Sequence, residues 1–248
     1  MRRRLSISWQ IIFVLLLISG CAPAFRVSPF LRERIQNAQA ITLMPMDVEV
    51  YKVSAGGVQE LVDEFSEEAK ENIRLSLREK FNGGSRFKIG YFPEEKDIED
   101  LAVRLLLKDT LALFKAVDFS IISHTYVVPD MVIHRSGVFP DKLTNFDYTL
   151  GPQISPLSEY AKADLFLFLR GGDYLSSGGR VALMVWVALL GGTPMNAGPP
   201  HLSASLVDAK TGEVLWYNFL CPPSGYNFRN RESVEKFMAI LLKDFPQK

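Results

Sequence analysis

Cysteine is nearly missing from this chain, with Cys21 and Cys221 the only two in 248 residues. There is therefore no CxxC pair for a metal or a redox couple. Histidine is almost as scarce. His124, His134 and His201 are scattered, and none stands at the HxxxH or HExxH spacing that sets two ligands on one helix face. No metal site is expected from them. No G-x-S-x-G elbow is present for a hydrolase, and no GKS or GxGxxG pattern for a nucleotide. The glycines of Ser176-Ser177-Gly178-Gly179 could offer backbone amides to a phosphate, but without those patterns the stretch reads as an ordinary loop. Positive charge is not in excess either, since 28 Lys and Arg meet 28 Asp and Glu. A chain with no basic cluster is a poor fit to nucleic acid. Repeats and low-complexity tracts are also lacking. With no catalytic dyad to name, the expectation is a protein that is not an enzyme and holds no cofactor.

What is present is concentrated at the amino terminus. Arg2, Arg3 and Arg4 precede the unbroken apolar run Ile11 to Ile18, and Ser19-Gly20 lead directly into Cys21. A plain secretory signal ends in an A-x-A-like site with no required residue after the cut. An aliphatic residue, two small residues and a cysteine instead match the bacterial lipobox, where the leader is cut before a diacylated cysteine. A signal anchor is the competing reading, but Trp9 to Gly20 falls short of the roughly 20 apolar residues a spanning helix needs. Residues 1–20 are thus read as a lipoprotein signal peptide, with lipidation (palmitate among the acyl groups) at Cys21. Losing the three arginines leaves 25 basic against 28 acidic residues, a net −3. Membrane affinity must then come from acyl chains, of which two or more hold stably at about 0.8 kcal/mol per buried CH₂. Ala22 follows the cysteine, where an aspartate retains lipoproteins in the inner membrane of enteric-type bacteria. Its presence predicts the outer membrane, on the periplasmic side. Lipidation of Cys21 leaves Cys221 alone, a buried or partly buried thiol before Pro222-Pro223.

Residues 21–40 read as a lipidated tether and 41–248 as a single α/β periplasmic domain. Strands are expected at Ile41 to Pro45 and Val48 to Val53, with Ser54 to Gly57 as a break. Val58, Leu61, Phe65, Ala69, Ile73, Leu77 and Phe81 recur every three to four residues and predict a long helix, stopped by Asn82-Gly83-Gly84. Its acidic outer face reads as solvated. A strand over Arg86 to Phe92 and a helix starting near Asp97 follow. Residues 118–150 show no clear period, with Tyr126 to Pro129 and Met131 to Ile133 extended. A short helix over Pro156 to Ala161 precedes Ala163 to Leu169, whose unbroken apolar run predicts a strand covered on both faces. Gly171-Gly172 and Gly178-Gly179 are expected to bracket a turn-rich connection. Asp164 and Asp173 flank the buried strand in capping or turn roles. His201 to Val207, the turn at Asp208 to Gly212 and Glu213 to Tyr217 make the clearest hairpin, and a helix over Arg231 to Phe245 closes the chain. The fold class is α/β: a layered sandwich of a mixed sheet with a C-terminal β-hairpin and flanking helices.

Val181 to Leu190 is a run of ten apolar residues. A buried core element is the preferred reading. The alternative is an apolar lip that touches lipid or a partner, mounted on the glycine- and proline-rich stretch Gly191 to Pro200, with Trp186 suited to an interface.

Three stretches carry a family resemblance: Ile41 to Pro45, Ala163-Asp164-Leu165-Phe166-Leu167, and Ser203 to Asp208 with Thr211-Gly212-Glu213-Val214-Leu215-Trp216. Together they resemble the superfamily of bacterial envelope lipoproteins that contains the curli-secretion channel lipoprotein, the amino-terminal domain of TolB and the lipoprotein activators of penicillin-binding proteins. The resemblance spans most of residues 41–245, and the hairpin is its specific part. It implies an α/β fold, no catalytic residues, and action by binding other envelope components. The chain departs from the curli channel in lacking a pair of roughly ten-residue alternating strands for a membrane barrel. The expected function is a non-enzymatic protein-binding or assembly module anchored in the outer membrane through lipid on Cys21. The alternatives are a self-associating subunit of an export apparatus, and a small-molecule binder or enzyme using the glycine-rich loops.

Overall fold

Strand β6 (Leu165–Ser176) runs through the middle of a mixed eight-stranded sheet. The computed structural model describes residues 25–126, 139–191, 197–223 and 225–246. The leader with Cys21, His134, residues 127–133 of the stretch expected to be extended, and 192–196 of the glycine-rich loop lie outside them. The other strands are β1 (Arg26–Val27), β2 (Ala40–Leu43), β3 (Asp47–Val53), β4 (Gln59–Leu61), β5 (Lys88–Tyr91), β7 (His201–Asp208) and β8 (Val214–Leu220). Their order is β1-β8-β7-β6-β2-β5. On one edge β6 pairs antiparallel with β7. On the other it pairs in parallel with β2 over Leu165 to Leu167, then with β3 over Arg170 to Ser176. One long strand thus aligns two short ones end to end.

Side chains alternate across a strand, so the run Leu165 to Leu169 feeds two cores at once. Leu165, Leu167 and Leu169 join Ala69, Ile73, Leu77 and Phe81 of α2 (Asp63–Asn82) and Val234, Phe237, Met238 and Leu241 of α7 (Arg231–Leu241). Phe166 and Phe168 pack on the opposite face with Leu107, Phe114 and Ile121 of α3 (Leu101–Thr125) and Leu157 of α5 (Ser155–Ala161). The layering is helix, sheet, helix, as the sequence predicts. Burying each such Leu or Phe contributes about 1.5–3 kcal/mol, which is why the strand carries no polar alternation.

Several expectations are corrected. Residues 25–40 are folded rather than a tether. Arg26 and Val27 pair with Tyr217 and Trp216, the Arg26 guanidinium lies 4.5 Å over the Tyr126 ring, and α1 (Leu31–Gln36) buries Ile35. Strand β1 is only two residues long and one of them is an arginine, too little to register as a strand in the sequence. The long helix starts at Asp63, because Gln59–Leu61 form a hairpin with β3 and leave Val58 in solvent. The second begins at Leu101, where the Asp100 carboxylate accepts from the amides of Ala102 and Val103 at 2.8 and 3.2 Å, a side-chain cap. It runs on to Thr125, and a short α4 (Pro140–Thr144) follows.

Gly171 and Gly172 mark no turn. They sit inside β6, where a Cβ on Gly171 would strike the His201 carbonyl and stand 2.8 Å from Leu202 Cα, and one on Gly172 would stand 2.9 Å from the Glu49 carbonyl oxygen. Glycine is required there by close approach of neighbouring backbones.

The β7–β8 hairpin is as expected and is tied down on its outer side. Asp208 Oδ1 accepts from the amides of Lys210 and Thr211 at 2.9 and 2.8 Å. Leu150 N donates to the Gly212 carbonyl at 2.7 Å. Gly212 has φ +75° and a Cβ there would run into the Gly151 backbone, 2.6 Å from its nitrogen. Gly212→Val therefore adds left-handed strain and a backbone clash, together about 3 kcal/mol, lowering Tm by roughly 6–12 °C. Thermal unfolding by circular dichroism measures this, and an unchanged Tm would show that the turn tolerates a side chain.

Candidate functional site

The residues singled out for chemistry are dispersed and already engaged. His124 Nδ1 lies 2.9 Å from Tyr148 Oη, with the Phe139 ring edge-on to its imidazole. His201 lies on the other end of the sheet against Tyr174 and Phe219, and burial holds its pKa below the ordinary histidine value. Among the described residues no three His, Cys, Asp or Glu side chains gather to hold a metal. Ser177 caps a helix, its Oγ accepting from Arg180 N at 3.2 Å. Asp164 accepts from the amides of Gln39 and Ala40 at 2.8 and 3.0 Å, fastening the start of β2. Asp173, buried, accepts from Tyr174 N and Phe228 N at 2.8 and 2.9 Å, and its pKa is raised by that burial. Neither takes the expected capping or turn role: Asp173 lies inside β6 rather than beside it, and both carboxylates tie distant backbone segments to the sheet. Cys221 is half-buried, and burial pushes its thiol up, away from the thiolate that a nucleophile requires.

One polar cluster was not visible as such in the sequence. Asp118, fully buried on α3, accepts from Arg170 Nη1 at 2.8 Å and from Tyr217 Oη at 2.7 Å. Arg170 Nε also reaches Asp47 Oδ2 at 3.1 Å, and Lys115 Nζ stands 3.5 Å from the same oxygen. The neighbouring carboxylates raise the Arg170 pKa against the opposing effect of its burial. The Tyr217 hydroxyl is held well above the usual phenol value by burial and by Asp118. A carboxylate on the buried stripe Leu107, Thr110, Phe114, Asp118, Ile121 was the signal available, since an acid on an apolar helix face needs a partner.

Asp47 and Lys115, at the outer end of this cluster, line an open groove of about 410 Å³. Pro45, Met46 and Asp47, at the link between β2 and β3, form one wall. Leu111, Ala112 and Lys115 of α3 form the other, Glu94 and Glu95 stand at the rim, and Phe114 and Phe168 lie beneath. The groove combines apolar contact area with charges of both signs that the ion pairs hold in place.

The second surface is α6 (Gly178–Leu189), which contains most of the ten-residue apolar run. The preferred core reading is overturned here. Trp186 is 65% exposed, Leu189 72% and Leu190 83%, and Val181, Leu183 and Val185 are exposed as well. Only Arg180 is buried, its Nη1 donating to the Ser54 carbonyl at 3.2 Å. The run fails to enter the core because both sheet faces are already covered by α2, α7 and α3. No helix among the described residues is long and apolar enough to cross a membrane.

No protein-family model matches the chain, and no curated protein matches it. Among solved structures it is similar to the LpoB C-terminal domain from Salmonella enterica, at 13% identity, with a TM-score of 0.28, over 80% of this chain and 96% of that one. A likeness that slight leaves function to be argued from the chain's own surfaces.

The two features separate cleanly under mutation. Val185→Asp places a charge where the side chain is already in solvent, so stability stays within about 0.5 kcal/mol. Asp118→Ala removes one partner of a buried ion pair and costs about 3–5 kcal/mol. Urea unfolding of the chain from Ala22 onward gives both values. A collapse of the Val185→Asp protein would return α6 to the core.

Proposed function

We propose that this protein is an envelope lipoprotein, cut before Cys21, lipidated there and held at the periplasmic face of the outer membrane. Its residues from 25 onward act as one α/β domain that binds another envelope protein without catalysing a reaction. The groove between α3 and the β2–β3 link is the observation that carries the binding part. Its apolar floor supplies contact area, and Lys115 and Asp47, the latter held through Arg170 to the buried Asp118, offer fixed charges for register. Complementary charge at an interface mainly fixes orientation and partner choice. The engaged state of His124, His201 and Asp173 is consistent with binding rather than turnover. A self-associating export subunit is the second reading, favoured by the exposed apolar face of α6.

Radiolabelled palmitate tests the anchor. The wild-type protein should take up label and lose residues 1–20, whereas Cys21→Ser should remain uncut and unlabelled. A Cys21→Ser protein that is still processed and still membrane-held would sink the anchor. A photo-crosslinking residue at position 112 should capture one envelope protein in intact cells, and Lys115→Glu should reduce that capture. Crosslinks only to a second copy would favour the export-subunit reading, as would a multimeric mass in mild detergent.

A further inference from the structure

Helix α6 is apolar on every side, yet the domain covers only one. At about 100° per residue, the exposed positions 181–183, 185, 186 and 188–190 sweep more than half of the circumference. Met184 and Val187 are half-buried and, with Arg180, mark the covered side. A helix hydrophobic all round belongs in an apolar medium. A second copy or a globular partner offers one shaped surface and covers one face. Hydrocarbon needs no shape and wets every face it reaches. Twelve residues make a helix of about 18 Å, too short for a bilayer core of about 30 Å but suited to one leaflet. Trp186, exposed on this helix, has the amphipathic ring that favours the headgroup level.

The sheet register sets this helix and the amino-terminal anchor at the same end of the molecule. Arg26 stands opposite Tyr217, Tyr217 opposite Ser205, and Ser205 opposite Phe168. Strand β1 is antiparallel to β8, and β8 runs in the same direction as β6. The chain before Arg26 therefore enters from the end at which β6 leaves the sheet at Ser176 and passes into α6. Ser176 lies eight residues beyond Phe168, about 26 Å along the strand. Five residues from Arg26 back to Cys21 span at most about 18 Å. A lipid on Cys21 thus draws that end of the sheet toward the bilayer, and α6 begins some 8 Å beyond the reach of the stretched leash. Interfacial helices sit about 5–10 Å deep.

We propose that α6 embeds in the leaflet that carries the lipid on Cys21, fastening the domain to the bilayer at a second point. The proposal rests on reading Cys21 as the lipidated residue. Arg180, the one ionisable side chain of α6, is turned to the Ser54 carbonyl. Insertion therefore draws on apolar burial and does not depend on anionic lipid.

The test supplies its own anchor. The chain from Cys21 onward, with Cys221→Ser, is coupled through the Cys21 thiol to a maleimide lipid in phosphatidylethanolamine–phosphatidylglycerol vesicles. It holds two tryptophans, Trp186 and the buried Trp216, so Trp186→Phe gives the background. On vesicles, Trp186 emission should shift to the blue, resist iodide, and be quenched by lipids brominated on their acyl chains. That quenching should persist at high salt and without phosphatidylglycerol. Leu189→Glu with Leu190→Glu should abolish it while leaving the far-ultraviolet circular dichroism unchanged. Trp186 that stays open to iodide on the vesicle overturns the proposal. So does a blue shift that follows protein concentration in lipid-free solution, which would make a second copy the occupant. Absence of acyl chains on Cys21 of the cell-derived protein, read by mass, would instead fault the anchor.

Discussion

Burial of β6 on both faces and both edges is the constraint on which the rest of the structure depends. Its odd-numbered leucines and even-numbered phenylalanines face separate cores, so neither helical layer can be removed without exposing half of the strand. Its edges are as demanding. At Gly171 and Gly172 the backbones of β7 and β3 approach until no Cβ fits. That closeness lets β3 continue the edge where β2 ends at Leu43, after the break through Met44, Pro45 and Met46.

The break has a consequence for the surface. Where the chain passes from β2 to β3 it cannot lie flush against β6, and α3 does not fill the space. The groove beside Asp47 results. Arg170, where β6 changes neighbours from β2 to β3, ties this wall to α3 through Asp47 and Asp118. A buried ion pair adds little net stability against a hydrophobic replacement. Here it fixes the position of α3 over the sheet and holds charge at the edge of the groove.

Helix α6 stands in contrast. It follows β6 by a single residue, and it lies past the end of the region where both cores are already closed. Its attachments include a backbone bond from Ser177 N to the Val53 carbonyl at 2.9 Å and the Arg180 guanidinium donating to the Ser54 carbonyl. Exposed Trp186, Leu189 and Leu190 give up the transfer free energy that their burial would return. A surface of this kind marks a contact with lipid or protein. The groove and α6 are separate surfaces of different chemistry, one charged and shaped, the other apolar and shapeless.

The amino-acid sequence by itself determined the α/β layering, the two-faced strand at Leu165 to Leu169, the amphipathic helix ending at Phe81 and the β7–β8 hairpin with its glycine. These follow from local periodicity and turn chemistry, which act over a few neighbouring residues. The reading of Cys21 as a lipidated residue likewise rests on the sequence alone. Tertiary structure decided what depends on residues far apart. Arg26 and Val27 become a strand only because β8 offers an open edge. Gly171-Gly172 resembles a turn until β3 and β7 close on it. Asp118, Arg170 and Tyr217 meet from three elements, 52 and 99 residues apart. Val181 to Leu190 has the composition of a core segment, and composition cannot say whether a core has room for it. The sheet had already spent both of its faces, so the most apolar helix of the described chain was left outside.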